Sequence, residues 1–203
     1  SYFRTMVGEG RRRAPLDSAS AFYVIAEAEG PDPETDNARF LATLETALED
    51  GLAEDAVLCK SEAERREVWN IREEFDPILP ARLYDVSLPI ECMDGYVQAL
   101  DSALQSRLPG SRLYVMGHLA DGNLHLFVQP GDATENGAAV DGLVYEPLAR
   151  IGGSVSAEHG IGTQKMPWLH LSRSDVEISL MRSLKQTLDP HGILNPGRVI
   201  GTP

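Results

Sequence analysis

The chain has only two cysteines in 203 residues, Cys59 and Cys92, in neither a CxxC pair nor a metal-ligand spacing. That excludes a disulfide framework and a cysteine-built metal site. The two thiols read as small apolar residues of a reducing compartment. Long apolar runs are missing too: no stretch approaches the roughly 20 residues of a membrane span. Positive charge is scarce, 18 Lys and Arg against 31 Asp and Glu, for a net charge of −13. A surface of that sign repels phosphate backbones, so nucleic acid is excluded as a partner. An anionic substrate must therefore be drawn in by a local cluster, a metal or an arginine. No secretory or transit segment is visible, and a cytoplasmic location is expected. What remains is a chain with 42% hydrophobic residues, long enough for one good core or two closely merged ones. A homodimer is compatible with this composition.

Residues 1–20 hold Arg11-Arg12-Arg13, a proline and small polar residues. They read as a lead-in segment without a packed core, ahead of a domain spanning 21–203. Phe22 to Glu27 alternates as a strand does, ending at Gly30-Pro31-Asp32-Pro33. A helix is predicted from Asn37 to Glu49, with Phe40, Leu41, Leu44 and Leu48 on one stripe and Gly51 as its stop. Ala56–Cys59 reads as a short buried strand. Ser61-Glu62-Ala63-Glu64 has the pattern of a capping box opening a helix that carries Trp69 and Arg72.

From Tyr84 onward the order is regular. It runs as a strand (84–88), a helix (89–108), two hairpin strands (113–119 and 124–129), a helix from Gly137 to Arg150, and a last strand over Ser154–Ala157. That is β-α-β-β-α-β, a split βαβ or ferredoxin-like arrangement of α+β class, with an antiparallel sheet and helices on one face. The elements before Tyr84 resemble part of a second copy. A capping box at Ser174–Glu177 opens a final helix ending at Asp189-Pro190.

The chemistry concentrates in two places. In Gly117-His118-Leu119-Ala120-Asp121-Gly122-Asn123-Leu124-His125 the Asp-Gly pair signals a two-residue type I′ hairpin turn. That turn sets His118 directly opposite His125, with Cβ atoms about 4.5–5.5 Å apart. The other face, with Leu113, Val115 and Leu119 against Leu124, Leu126 and Val128, reads as core. In Ser156-Ala157-Glu158-His159-Gly160-Ile161-Gly162 a strand ends in a Glu-His pair flanked by glycines. Glu158 can complete a set of two histidines and one carboxylate. Such a set suits zinc with an open position, and manganese or iron also fit. Neighbouring residues at a strand end point apart, so His159 is left to face a substrate. Arg72, three residues after Trp69, is either a surface ion-pair partner or a clamp for a substrate carboxylate. His170 and His191 have no such company and read as structural.

These segments resemble the C-terminal domain of the FAD-linked oxidases. Residues 117–125 are similar to that family's GHxGDGNxH, and 156–162 to its SxEHGxG. Tyr84-Asp85-Val86-Ser87-Leu88-Pro89 is similar to YDxSxP, and Asp189 to Arg198 to the C-terminal DPxxxxNPGK. The family includes D-lactate and D-2-hydroxyglutarate dehydrogenases and flavin subunits of glycolate oxidase. The resemblance implies a substrate domain of duplicated ferredoxin-like architecture, packed on an FAD-binding domain of the same or a partner chain. It implies His118, His125 and Glu158 as metal ligands, His159 as base, Arg72 as carboxylate partner and Asn195 on the cofactor side. No glycine-rich pyrophosphate loop is present, so FAD is expected to be held mainly outside this chain. The alternative is a non-catalytic module that docks on a separate flavoprotein.

The chain departs from the family pattern at three positions. Ala120 replaces the first glycine of GDGN. Phe127 and Leu83 stand where hydroxyglutarate-type members tend to carry a polar residue and a lysine. A second substrate carboxylate thus has fewer partners, which points to a monocarboxylic or more apolar 2-hydroxy acid.

Overall fold

The computed structural model describes residues 2–8, 12–17, 19–129, 131 and 137–201. The chain divides into two compact units, 1–77 and 78–203.

The first unit is helical. Helix α1 (Tyr2–Val7) buries Tyr2 and Met6, and the Tyr2 hydroxyl donates to the carbonyls of Arg72 at 3.1 Å and Glu74 at 2.7 Å. The segment is thus tied to the end of α3 through the Tyr2 hydroxyl. Arg11 of the basic run lies outside the described residues, and Arg12 pairs with Glu74. Helix α2 (Pro33–Glu49) starts earlier than the apolar stripe predicts, because Asp32 caps it through the Thr35 amide and Pro33 suits the first turn. Ser61 caps helix α3 (Glu62–Glu73) through the Glu64 amide. The Glu64 carboxylate reaches back to the Lys60 amide, one residue before the position a capping box requires.

The strands predicted at 22–27 and 56–59 do not form. Neither stretch pairs with a strand, and Phe22 is 78% and Val57 51% exposed. Alternation fits a chain to one face of a sheet, but only a partner's backbone groups make a ladder. Among the described residues the sheet of a second copy is absent.

The second unit is α+β, as the element order predicts. Strands β1 (Arg82–Ser87), β2 (Arg112–His118) and β3 (Asn123–Gln129) form an antiparallel sheet in the order β1-β3-β2. Helix α4 (Met93–Arg107) follows a short 3₁₀ turn over Ile90–Cys92. The predicted helix from Gly137 to Arg150 is two pieces, α5 (Gly137–Tyr145) and α6 (Leu148–Ile151). Pro147 between them has no N–H to continue the ladder. Tyr84, Val86, Leu126 and Val128 of the sheet pack with Leu100 and Leu104 of α4 and Val140 and Val144 of α5. Both helices thus cover one sheet face. Leu104, Leu126 and Val128 are fully buried, each contributing about 1.5–3 kcal/mol of transfer free energy.

The fourth predicted strand, 154–157, is reduced to one bridge, Ser154 against Ser87 on the free edge of β1. Beyond it the amides of Ala157, Glu158 and His159 turn onto the Asp85 carboxylate instead of a strand. Helix α7 (Asp175–Leu188) carries the predicted capping box at Ser174 and Glu177. Along it Val176, Leu180, Leu184 and Leu188 form an exposed apolar row.

The hairpin register differs from the two-residue turn. His118 pairs with Asn123 and Met116 with His125, so the loop has four residues, Leu119–Gly122. Only Gly122 takes a positive φ, 66°, where a type I′ turn needs two such residues. Its carbonyl is fixed by the Leu88 amide at 2.9 Å. Leu119 leaves the predicted core face as a consequence and is 57% exposed. Gly117 is needed for a different reason, since a Cβ there would lie 2.0 Å from the Asn123 carbonyl oxygen. Gly117→Ala is expected to destabilise the unit by about 1–3 kcal/mol, read as a lower midpoint in urea. An unchanged midpoint would contradict this close approach.

Candidate metal and substrate site

The face of the sheet turned away from α4 and α5 carries the polar residues. A shift of two residues in register preserves the side of every side chain, whereas a shift of one reverses it. His118 and His125 therefore still share this face, as diagonal rather than opposite neighbours. Their ring centroids are 5.4 Å apart with perpendicular planes. Asp85 of β1 lies directly across from His125.

Glu158 joins the two histidines. Its Oε1 is 2.8 Å from His118 Nδ1, and its Oε2 is 3.6 Å from His125 Nε2. The burial of Glu158 raises its carboxyl pKa, but the hydrogen bond and charge of His118 outweigh that and hold it below the usual range. His159 stacks on His125, with centroids 5.4 Å apart and planes 19° from parallel, and it remains exposed. The structure thus brings together His118, His125, Glu158 and His159.

Two further carboxylates, both missed in the sequence, belong to the cluster. Donor atoms of Asp85, His125, Glu158 and His159 lie within 4.8 Å of one another, and those of His118, Asp121 and Glu158 form a second such set. Asp85 is fully buried. Burial pushes its carboxyl up, but the amides of His159 and Glu158 and the Lys165 ammonium outweigh it and hold the pKa at about 2. Lys165, itself buried, donates to the Asp85 carbonyl at 2.9 Å, its Oδ2 at 3.2 Å and Ser156 Oγ at 3.0 Å. Burial lowers the Lys165 pKa and Asp85 opposes that shift. The available signals were an acidic residue in the apolar run Tyr84-Asp85-Val86 and a lone lysine after the glycine-rich turn.

Arg72 is half-buried in the last turn of α3, in the first unit. Asn195 stands in a turn with φ 44°, in a cleft lined also by Met181, Lys185, Arg198 and Ile200. His170 Nδ1 lies 2.9 Å from the Pro167 carbonyl of its own turn.

The donor set fits a divalent cation. With metal–ligand bonds of about 2.0–2.2 Å, neighbouring ligand atoms of a tetrahedral centre lie about 3.3–3.5 Å apart. The 3.6 Å between Glu158 Oε2 and His125 Nε2 is close to this spacing, whereas His118 meets the other oxygen, Oε1, and among the described residues His118 and His125 fall in separate candidate sets that share Glu158.

Fold and site together define an α+β domain with a histidine–carboxylate cluster on the sheet face opposite its helices. The chain belongs to the family described as FAD linked oxidases, C-terminal domain, whose model matches residues 3–199. It is 38% identical over 200 residues to a D-2-hydroxyglutarate dehydrogenase of Xanthomonas citri pv. viticola, covering 94% of this chain and 42% of that one. The corresponding enzyme of Stutzerimonas stutzeri is 32% identical over 204 residues, covering 96% and 44%. A putative mitochondrial D-lactate dehydrogenase of Schizosaccharomyces pombe is 32% identical over 200 residues, covering 92% and 38%. The chain thus spans less than half the length of these relatives.

Proposed function

We propose that this chain is the substrate- and metal-binding part of an FAD-dependent dehydrogenase that oxidises a D-2-hydroxy acid to the 2-oxo acid. The observation that carries the reading is the convergence of His118, His125 and Glu158 beside an exposed His159. The two imidazoles and the carboxylate hold the cation, zinc first, with manganese or iron as alternatives. A metal held there would supply a Lewis acid for the substrate hydroxyl, and FAD would supply the hydride acceptor. His159 removes the hydroxyl proton as general base, and Arg72 receives the substrate carboxylate through its planar fork.

FAD is held mainly by polypeptide outside this chain, on the same or a partner chain. The exposed apolar row of α7 supports a neighbour of that kind. Asn195 is assigned to the cofactor side. Its turn is pre-set by Asp189, which accepts from the Ile193 amide at 3.0 Å and the Leu194 amide at 2.9 Å. The cytoplasmic assignment rests on two free, separated thiols.

Leu83 pairs with Phe127 across β1 and β3, which offers a substrate tail an apolar pair instead of a second cation. Two D-2-hydroxy acids are named among the relatives, one dicarboxylic and one monocarboxylic. Anaerobic mixing of the full-length flavoprotein with each is the test. D-Lactate is expected to bleach the flavin faster than D-2-hydroxyglutarate. A preference for the dicarboxylate would overturn the substrate assignment, and no bleaching by either would favour a docking module without chemistry.

A further inference from the structure

The site residues that do the chemistry do not hold themselves in place. Glu158 and His159 sit past the single bridge at Ser154, in an exposed turn with no strand beside it. Yet three consecutive amides of that turn converge on one oxygen. Asp85 Oδ2 accepts from Ala157 at 3.0 Å, Glu158 at 3.0 Å and His159 at 2.9 Å. Successive amides that close on an anion make a nest, a rigid and strongly favoured local conformation. Here the anion is supplied by the protein's own side chain, more than 70 residues earlier in the chain.

The second oxygen faces the other way. Asp85 Oδ1 is 3.8 Å from His125 Nδ1, the nitrogen on the far side of the ring from the one facing Glu158. This follows from register, since Asp85 and His125 are direct cross-strand partners. A histidine that ligates through one nitrogen is oriented by what its other nitrogen meets. Lys165 braces the carboxylate from behind by bonding its oxygen, its backbone carbonyl and Ser156 together.

We infer that Asp85 is the positioning residue of this site, fixing Glu158 and His159 through their backbone amides and placing a negative charge 3.8 Å from His125 Nδ1, beyond hydrogen-bond reach. Lys165 neutralises and braces it. Both residues are buried. One carboxylate on β1 thereby holds the turn that carries Glu158 and His159 against the strand partner of His125. The inference rests on the metal reading above only for its consequence on affinity.

The test joins amide hydrogen exchange with zinc titration of the chain, in wild type and Asp85→Asn. Asparagine keeps the size and one acceptor oxygen but loses the charge that strengthens all three bonds. In wild type the amides of Ala157, Glu158 and His159 are expected to exchange slowly despite their exposed turn. In the variant they are expected to exchange about tenfold faster or more. Zinc affinity is expected to fall about 10- to 100-fold, as for other groups that orient ligands. Unprotected amides in wild type would overturn the inference, and so would unchanged exchange or unchanged zinc affinity in a folded variant. If Asp85→Asn does not fold, wild-type exchange alone decides, because an exposed turn without the nest has no protection. Failure of wild type to bind zinc would sink the metal reading, while the exchange rates would still decide the role of Asp85.

Discussion

Replacing His159 by glutamine in the full-length enzyme is expected to lower kcat for flavin reduction by about 10²–10⁴-fold, the contribution of a positioned general base. Glutamine keeps a polar side chain of similar reach but cannot take up a proton. The His159 ring stacks on His125 and is exposed, so its loss removes no core packing. Its amide remains bound to Asp85, and the turn keeps its shape. Metal content should therefore be unchanged and KM should move far less than kcat. Stopped-flow flavin reduction beside elemental analysis of the same sample reads both. A variant that reduces flavin at the wild-type rate would remove His159 from the mechanism.

His125→Ala is expected to weaken zinc binding by more than about 100-fold, beyond the range for groups that merely support a ligand. The ring is only 6% exposed, and its Nε2 faces Glu158. Its removal takes one of the three proposed ligands from the centre. Glu158→Gln is the companion variant, because Glu158 is exposed and its change carries little risk to folding. It should also lose the metal, since an amide oxygen lacks the charge that joins the two imidazoles. His170→Ala is the control: that ring bonds its own turn, and zinc affinity should not change. A chelator competition titration across the set measures all three, and equal affinity in His125→Ala and wild type would withdraw the ligand assignment.

The second unit was legible because its signals are local. The strand at 84–88, the helix at 89–108 and the Asp-Gly hairpin each lie within one element or one hairpin. The register error of two residues arose because Asp-Gly suggests two positive-φ positions and only Gly122 takes one. His118 and His125 kept one face despite that error because the pleat has period 2. Residues 22–27 and 56–59 show the converse, as strand-like sequences without a ladder. Asp85 escaped notice because its partners are backbone amides of a distant turn, and amides leave no trace in residue type. Lys165 escaped for a related reason, since its value depends on a buried charge that only the fold brings beside it.

A metal centre of His118, His125 and Glu158 intrinsic to this chain is open to elemental mass spectrometry of the purified chain, prepared without chelators or a histidine tag. Close to one zinc, manganese or iron per chain, retained through desalting, is expected. No bound metal after incubation with each of the three would contradict it and leave the cluster as hydrogen-bonded polar residues around His159.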